Sequence, residues 1–442
     1  MPQQLKRSAI AALSSGVALA VLAPLACHAG SAPPPTNPQG ITLVEVMREL
    51  PISQPEILWV RIGDANGRTV FTRDDGKCDA ECTKEFPPLL AARGARAFGD
   101  WSLLRAGGQH QWAYQKRPLY TWSKEQVPGE VATNVGLTET ANAKLAETPV
   151  EAGSLLPPAG WQIARFNPAA AMSLPDGVDV RLVSSVQAVA LTDANGFTLY
   201  AFDGDPKKDQ QNCIASGCDA RWIAVPAPAL AAGFGDFSVV TRADGSAQWA
   251  YKKRALYRHS SDQLPGDAYG AGVDKHWNVA VITENFRPAN ISIATLEGYG
   301  NALSLNGMTL YGGYSFEKRW GGRNLRDTFT NMYAKGKQLG GAACVDAQCL
   351  SKWRPFLAPA NAQPDGFWEP VSRDDGTKQW AYKGYALYSY AGDNAPGQHN
   401  GQATYDFEKF AGAGFDFKRV AHLKEISKAS GGVGIYWNIA KP

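Results

Sequence analysis

The sequence lacks the short motifs that mark most enzyme active sites. Its 442 residues contain no Gly-x-Ser-x-Gly nucleophile elbow, no phosphate-binding loop and no His-Glu-x-x-His zinc pattern. Hydrolase, kinase and metalloprotease chemistry is therefore without its usual residues. We expect a protein that is not an enzyme and that has no catalytic residues.

The chain is also poor in ligands for metals and haem. Zinc and copper sites need clustered His, Cys or carboxylate side chains. The histidines after residue 30 recur at no equivalent position: His110, His259, His276, His399 and His422. Haem attachment needs a His directly after the second Cys of a pair, and Thr83, Asp219 and Leu350 stand there instead. We expect no metal and no cofactor.

Charge of one sign is not in excess, and no apolar run after the first thirty residues is long enough to span a membrane. The formal net charge is +3, and it falls by two, to +1, if a leader containing Lys6 and Arg7 is removed. This balance argues against a nucleic-acid partner that is bound through its phosphates.

The first residues predict export. Lys6 and Arg7 precede an uncharged, mostly apolar stretch over 8–26 that ends in small residues, as in a secretory signal peptide. We expect a signal peptide over 1–29 and a Pro-rich linker over 30–40. The expected location is the periplasm or the cell envelope.

Cys27 leaves two readings open. Cleavage before Cys27 would make it a lipidated amino terminus, whereas cleavage after Ala29 would remove it. Pro24 stands where lipoprotein signals usually have Leu. Only the first reading gives the protein a membrane contact, through a lipid anchor.

The other six cysteines fall into three closely spaced pairs. They are Cys78 with Cys82, Cys213 with Cys218, and Cys344 with Cys349. In an exported protein such pairs are expected to be structural disulfides. A redox role is the alternative, although three or four residues separate the partners rather than the two of thioredoxin-like motifs.

Self-similarity over a long period shows that the chain is a triplication. Gln-Trp-Ala-Tyr occurs at 111–114, 248–251 and 379–382. Around each copy the same features follow in order: an Asn-Gly pair, a Cys pair with an aromatic residue after it, Gln-Trp-Ala-Tyr, a Leu-Tyr segment, Pro-Gly and a short Trp-led segment. These features predict three repeat units, namely unit 1 over 41–168, unit 2 over 169–285 and unit 3 over 286–442.

The pieces of each unit favour antiparallel sheet. Asn-Gly between apolar segments is a strong hairpin signal, and 189–192 with 197–200 make one such hairpin. The Gln-Trp-Ala-Tyr and Leu-Tyr segments make a second. We predict a mainly β protein of three tandem antiparallel units, each with an internal twofold duplication of hairpins. The periodicity predicts short helices over 43–50 and 329–337.

The internal duplication is marked by a Tyr that is followed five positions later by an acid. The pairs are Tyr120 with Glu125, Tyr200 with Asp205, Tyr257 with Asp262, and Tyr388 with Asp393. In a binding site the acid would contact a cation or sugar and the ring would stack on it. In a structural role the acid would accept backbone N–H bonds in a turn. Recurrence in several half-units favours the structural role.

This combination of motifs resembles a family of secreted bacterial lipoprotein repeats that is marked by Tyr-x4-Asp. The resemblance covers most of 56–440 and implies an envelope protein with no agreed biochemical activity. The chain departs from the pattern at Pro24, and again at Phe71 and Tyr311, which have no acid five positions later.

Unit 3 carries two insertions that the other units lack. The first contains the basic and aromatic residues Arg319, Trp320, Arg323, Arg326 and Tyr333, and the second covers 399–432. Long loops of this composition are suited to binding an acidic polymer, a sugar or a protein. The alternative is that they cap the last repeat and cover a sheet edge.

Together these features predict a non-enzymatic, exported envelope protein for binding or scaffolding. The predicted contact surface lies on unit 3, and the predicted partner is an envelope protein or polysaccharide. Two alternatives stay open. One is a periplasmic redox or electron-transfer accessory that uses the Cys pairs, and the other is a glycan-acting enzyme with two carboxylates about 5–10 Å apart.

Overall fold

Short antiparallel strands make up most of the chain. The computed structural model describes residues 33–48, 56–73, 75–126, 131, 155–168, 172–202, 220–242, 244–271, 273, 277–316, 344, 347–373, 375–408 and 433–442. The predicted signal peptide and Cys27 lie outside these residues. The same holds for Asp205, the pair Cys213 and Cys218, and the helix predicted over 329–337.

The elements of unit 1 are β1 (Thr42–Arg48), β2 (Glu56–Gly63), β3 (Phe71–Arg73), α1 (Cys82–Glu85), β4 (Trp101–Ala106), β5 (Gln109–Tyr114), β6 (Arg117–Pro118), β7 (Trp161–Ile163) and β8 (Arg165–Phe166). Those of unit 2 are β9 (Val178–Val183), a 3-10 turn (Ser184–Val186), β10 (Ala188–Asp193), β11 (Tyr200–Phe202), β12 (Trp222–Ala224), β13 (Phe237–Thr241), β14 (Ala247–Tyr251), β15 (Arg254–His259), β16 (Trp277–Val279) and β17 (Val281–Glu284). Those of unit 3 are β18 (Ile291–Leu296), β19 (Gly300–Leu305), β20 (Met308–Phe316), α2 (Ala347–Lys352), β21 (Trp353–Pro355), β22 (Leu357–Ala358), β23 (Trp368–Ser372), β24 (Lys378–Tyr382), β25 (Tyr385–Tyr390), β26 (Thr404–Glu408) and β27 (Val433–Ile439).

The strands pair within their units. In unit 1 the orders are β1-β2-β8, β3-β7 and β4-β5-β6. In unit 2 they are β17-β10-β9 and β13-β14-β15-β11-β16, and β12 joins β15. Unit 3 has the path β18-β19-β20-β25-β24-β22, to which β21, β23, β27 and β26 are added. Every one of these pairings is antiparallel. The predicted fold class of a mainly β protein with antiparallel repeats is confirmed.

The helix predicted over 43–50 is wrong. Residues 42–48 form strand β1, which pairs with β2 from Thr42 opposite Gly63 to Arg48 opposite Glu56. The apolar residues that suggested a helical period also alternate along a strand, so that Leu43 is buried in the core. A short apolar run cannot be assigned by period alone, because its partner strand decides the outcome.

The first hairpin of each unit uses its Asn-Gly pair in one of two ways. In unit 3, Asn306 and Gly307 both have positive φ, 51° and 84°, which is the tight two-residue turn that suits strand twist. In unit 2 the predicted pairing of 189–192 with 197–200 is reduced to an isolated bridge between Thr192 and Thr198, and β10 and β11 belong to separate sheets. The turn between them is held by Asp193 Oδ1, which accepts the N–H groups of Asn195 and Phe197 at 2.9 and 3.0 Å. The sequence signal therefore marks the chain reversal but does not fix whether the flanking strands pair.

Buried side chains form one core that is shared by all units and further clusters that are local. The Trp and Tyr of each Gln-Trp-Ala-Tyr segment enter the shared core, together with Ile62, Leu191 and Leu303. Trp and Tyr lie two positions apart on a strand and so face the same side. On the other side, the motif Gln donates through Nε2 to the carbonyl of the Leu in the next strand, at 2.7 to 2.8 Å in all three units.

The three units contact one another in all three pairings. Glu45 of unit 1 accepts a hydrogen bond from Ser184 of unit 2 at 3.1 Å. It also forms an ion pair with Lys383 of unit 3 at 2.8 Å. Trp368 of unit 3 donates through Nε1 to Gln187 of unit 2 at 3.1 Å. The units therefore form a closed group with a common core instead of a string.

The segment expected as a linker also takes part in this packing. The N–H of Thr36 donates to the Glu284 carbonyl of unit 2, and the N–H of Glu284 donates to the Pro34 carbonyl. The Thr36 carbonyl accepts the indole N–H of Trp101 at 3.1 Å. Asn37 donates to Asp365 of unit 3 at 2.9 Å. Thr36 and Asn37 are 6% and 2% exposed, so this stretch holds units together.

The Asn37–Asp365 contact predicts a pH effect on stability. Burial raises the pKa of Asp365 to about 7, and the hydrogen bond from Asn37 only partly opposes it. The folded state therefore prefers the protonated acid, and the contribution of Asp365 to stability declines as pH rises from about 4 to about 7. Asp365→Asn should gain up to about 4 kcal/mol of stability relative to the wild type over that interval in denaturant unfolding, because each pH unit between about 4 and about 7 contributes about 1.4 kcal/mol.

Asp375→Asn is the matched control. Hydrogen bonds from Thr377 lower the pKa of this exposed carboxyl, so its replacement should lose stability relative to wild type as pH rises. A free-energy difference for Asp365→Asn that does not change with pH would contradict the assignment.

Candidate functional site

Each unit closes around four aromatic rings, which we call the ring quartet. The quartets are Phe71, Phe86, Tyr120 and Trp161 in unit 1; Tyr200, Trp222, Tyr257 and Trp277 in unit 2; and Tyr311, Trp353, Tyr388 and Trp437 in unit 3. In each, the aromatic residue after the Cys pair stacks on the Trp of the closing strand, with centroids 3.7, 3.6 and 3.8 Å apart. The motif Tyr meets that Trp edge-on at 5.0 to 5.2 Å.

The acid of the repeat motif bonds a Tyr from the other hairpin. Tyr200 donates its hydroxyl to Asp262 Oδ2 at 2.8 Å, and the N–H of Tyr269 donates to Oδ1 at 2.8 Å. Tyr257, five positions before Asp262, instead packs on Trp277. The Tyr200–Asp262 bond therefore joins the two halves of the unit. The spacing of the motif along the sequence does not predict this partner.

Unit 3 repeats this arrangement. Tyr311 donates to Asp393 Oδ2 at 2.6 Å, and Asn400 N–H donates to Oδ1 at 2.8 Å. The N–H of Gly401 donates to the Tyr311 hydroxyl at 3.3 Å. A Cβ at Gly401 would lie 3.0 Å from the Tyr311 ring and 2.8 Å from Trp353, so the backbone approaches the rings as closely as only glycine permits.

Unit 1 has different residues at both positions of this Tyr–Asp pair. Phe71 stands where the other units have Tyr200 and Tyr311, and the longer Glu125 stands where they have an Asp. Glu125 is fully buried and accepts the N–H and hydroxyl of Thr69 at 2.8 and 3.0 Å. The acid of unit 1 therefore has a different partner: Glu125 bonds Thr69 instead of a Tyr hydroxyl, which Phe71 does not have.

Burial governs the ionisation of these acids. It raises the pKa of Asp262 to about 6 against the opposing hydrogen bond from Tyr200. It also raises the pKa of Glu125 to about 7, with the charge of Arg61 opposing the rise. Both acids are occupied by groups of the protein itself, so they act within the fold.

The Tyr200–Asp262 bond predicts a measurable stability loss. Tyr200→Phe leaves a buried carboxylate oxygen and the N–H of Gly270 without their partner, so it should cost about 1–2 kcal/mol in denaturant unfolding. Phe71→Tyr is the control, and it should bring no gain because Glu125 is already bonded to Thr69. A loss for Tyr200→Phe below about 0.5 kcal/mol would contradict the role of the bond.

Two of the three predicted disulfides lie in the described part of the chain. Cys78 bonds Cys82, and Cys344 bonds Cys349. The first pair is half-buried, and the second is 0% and 3% exposed. Cys349 lies in α2, and Trp353 of the ring quartet comes directly after this helix, so the disulfide ties down the helix that precedes a core residue.

Exposure predicts the order of reduction. Attack by an external thiolate needs access to a sulfur atom, so mild dithiothreitol should reduce Cys78–Cys82 of the folded protein before Cys344–Cys349. Alkylation with mass mapping of the labelled peptides measures the order, and the unfolded protein is the control in which both pairs react. Earlier reduction of Cys344–Cys349 would contradict the expectation.

An open cavity of about 600 Å³ lies on unit 1, where β2, β3 and the β6 to β8 region meet. Trp59 and Arg165 come from the paired strands β2 and β8, Thr72 from β3, and Arg117 from β6. Trp59 and Arg61 alternate with the core residues Val60 and Ile62 along β2, which turns their side chains away from the shared core.

The lining is cationic, aromatic and rich in hydrogen-bonding groups. The guanidinium carbon of Arg165 lies 4.6 Å from the centre of a Trp59 ring. Within the described part of the chain, the buried Oγ1 of Thr72 and Nε1 of Trp59 have no hydrogen-bond partner, and Thr72 is 4% exposed. Gln162 and Asn167 add amide groups, and there is no carboxylate among the described residues of the lining. Unpartnered buried polar atoms at a cavity wall are groups that a ligand can satisfy.

Three residues of this lining are particular to unit 1. Ile62, Leu191 and Leu303 donate equivalent backbone bonds to Ala164, Ala280 and Ala440, which aligns the units strand by strand. On this alignment Trp59 corresponds to Ala188 and Gly300, Thr72 to Ala201 and Gly312, and Arg165 to Val281 and Lys441. These residues belong neither to a motif that the repeats share nor to a long insertion, so the patterns used for the sequence-based prediction do not mark them.

The binding residues predicted on unit 3, from Arg319 to Tyr333, lie outside the described residues, so that surface stays a prediction. Among the described residues there is no cluster of three or more His, Cys, Asp or Glu that could hold a metal ion. None of the helices described is long and apolar enough to cross a membrane.

Comparison with known proteins identifies the repeat. The family model described as a secreted repeat of unknown function matches residues 103–138, 238–281 and 369–409. Each match includes one complete Gln-Trp-Ala-Tyr segment, so the model matches the chain three times, once in each predicted unit, and the predicted resemblance is confirmed. The family description does not include the Tyr-x4-Asp motif. No curated protein and no solved structure matches the chain.

Proposed function

We propose that the chain is an exported, non-enzymatic binding protein of the cell envelope, in which the three repeats form a rigid frame and the cavity on unit 1 holds a ligand. The observation that carries this proposal is the cavity wall, where Thr72 and Trp59 present buried polar atoms without partners. The predicted contact surface on unit 3 is compatible with this function and stays a separate prediction.

The division between core and cavity residues supports the proposal, because the residues that build the common core are not those that set the polarity of the cavity. The shared motif residues are buried in the ring quartets and the common core. In unit 2 the corresponding strands form with Ala188, Ala201 and Val281 at the places of Trp59, Thr72 and Arg165. A site on rigid strands holds its groups in fixed positions, which favours affinity.

The test is ligand-observed NMR with the full chain and a panel of sugars, namely glucose, N-acetylglucosamine and glucuronate. At least one should bind, and the double variant Trp59→Ala, Thr72→Ala should weaken it about tenfold or more, because the cavity loses a ring and two hydrogen-bonding groups. Thermal unfolding checks that the variant is folded.

Arg254→Ala in unit 2 is the matched control, because Arg254 occupies the place that Arg117 has in unit 1 and lines no part of this cavity. It should bind like the wild type. Absence of binding across the panel, or binding that the cavity variant does not change, would count against the proposed site.

A further inference from the structure

We infer that the cavity on unit 1 recognises a carboxylate-bearing sugar, such as a uronic acid unit of an acidic polysaccharide. The inference rests on the proposed function, since it names the ligand class for the same cavity. It is drawn from the charge, the hydrogen-bonding capacity and the size of the cavity.

Charge is the first step. Two guanidinium groups, those of Arg117 and Arg165, line the cavity, and the lining residues that the structure describes include no carboxylate. Among the described residues no carboxylate forms an ion pair with Arg165, whose recorded contact is the Trp59 ring. Stacking on the ring holds the guanidinium plane in place and leaves its N–H groups available, and a guanidinium matches the two oxygens of a carboxylate.

Hydrogen-bonding capacity is the second step. Trp59 Nε1 and the Arg165 guanidinium can only donate, whereas the Thr72 hydroxyl both donates and accepts. The Asn167 carbonyl accepts from Tyr114 and from Gln115, each at 2.8 Å, so part of the polar wall is already satisfied internally. The unsatisfied part has an excess of donors, and the fitting ligand is rich in acceptor oxygens.

Size and shape are the third step. A volume of about 600 Å³ falls within the range of about 300–1,000 Å³ that is usual for small-molecule sites. It exceeds the need of a bare inorganic anion and admits one or two sugar rings. A ring with several hydroxyls and one carboxylate meets the Thr72 and Gln162 groups as well as Arg165.

The experiment compares glucuronate with its neutral methyl ester and with glucose, by isothermal titration calorimetry on the full chain. Glucuronate should bind about tenfold more tightly than the methyl ester, because the charge-assisted bonds to arginine are lost on esterification. Its affinity should fall as salt is raised.

Arg165→Val, which introduces the residue of unit 2, should lower glucuronate affinity about tenfold and change the affinity of the ester less than about threefold. Arg165→Lys, which introduces the residue of unit 3, keeps the charge and should recover part of the loss. Phosphate added to about 10 mM should not displace glucuronate if the sugar ring contributes to binding.

The outcomes separate the two proposals. Equal binding of glucuronate, its ester and glucose, all weakened by Trp59→Ala, would overturn the acidic-sugar inference and leave the cavity as a binding site. Full displacement by phosphate would overturn it in favour of a plain anion site. Binding of no probe, or binding that Trp59→Ala does not affect, would overturn both proposals.

Discussion

Ring stacking between distant parts of a repeat is the interaction on which the rest of this structure depends. In each unit the aromatic residue after the Cys pair lies flat against the Trp of the closing strand, with centroids 3.6 to 3.8 Å apart. The contact joins segments that are more than fifty residues apart in the sequence, and each Trp also receives the edge of the motif Tyr. Buried aromatic pairs of this geometry combine a large apolar area with a defined orientation, so they fix how the two hairpins of a unit meet.

Some residues of the repeated motifs stabilise a single unit, and others form the contact between units. The ring quartets and the Tyr–acid bonds serve one unit each, whereas the Trp and Tyr of Gln-Trp-Ala-Tyr enter a core to which all three units contribute. Glu45 adds a polar junction among the three units. Because the shared residues make these contacts, residues outside the motifs can differ between units without loss of the core. Unit 1 differs from units 2 and 3 in this way at Trp59, Thr72 and Arg165.

Much of the fold could be predicted from the sequence, because its signals are local or repeated. Asn-Gly pairs mark hairpins, and a motif that occurs three times marks three units. The strand β1 was mistaken for a helix because its pairing with β2 cannot be read from its own residues. The partner of Asp262 was missed for the same reason, since Tyr200 lies 62 positions away and only the fold brings the two together.

The candidate cavity could not have been predicted, because it depends on three strands that meet and on two side chains that stack. Arg165 beside Trp59 is visible only once β8 pairs with β2. The sequence does contain one usable signal, which emerges after the repeats are aligned: unit 1 has Trp, Thr and Arg where unit 2 has Ala, Ala and Val. Departures inside the shared strands therefore point to function as much as insertions do.

A crystal structure of the protein grown with glucuronate tests the central claim most directly. The account predicts the sugar in the unit 1 cavity, with its carboxylate oxygens about 2.7–2.9 Å from the guanidinium nitrogens of Arg165 and a hydroxyl bonded to Thr72. A cavity without ligand at saturating glucuronate, or a sugar bound elsewhere on the chain, would contradict it.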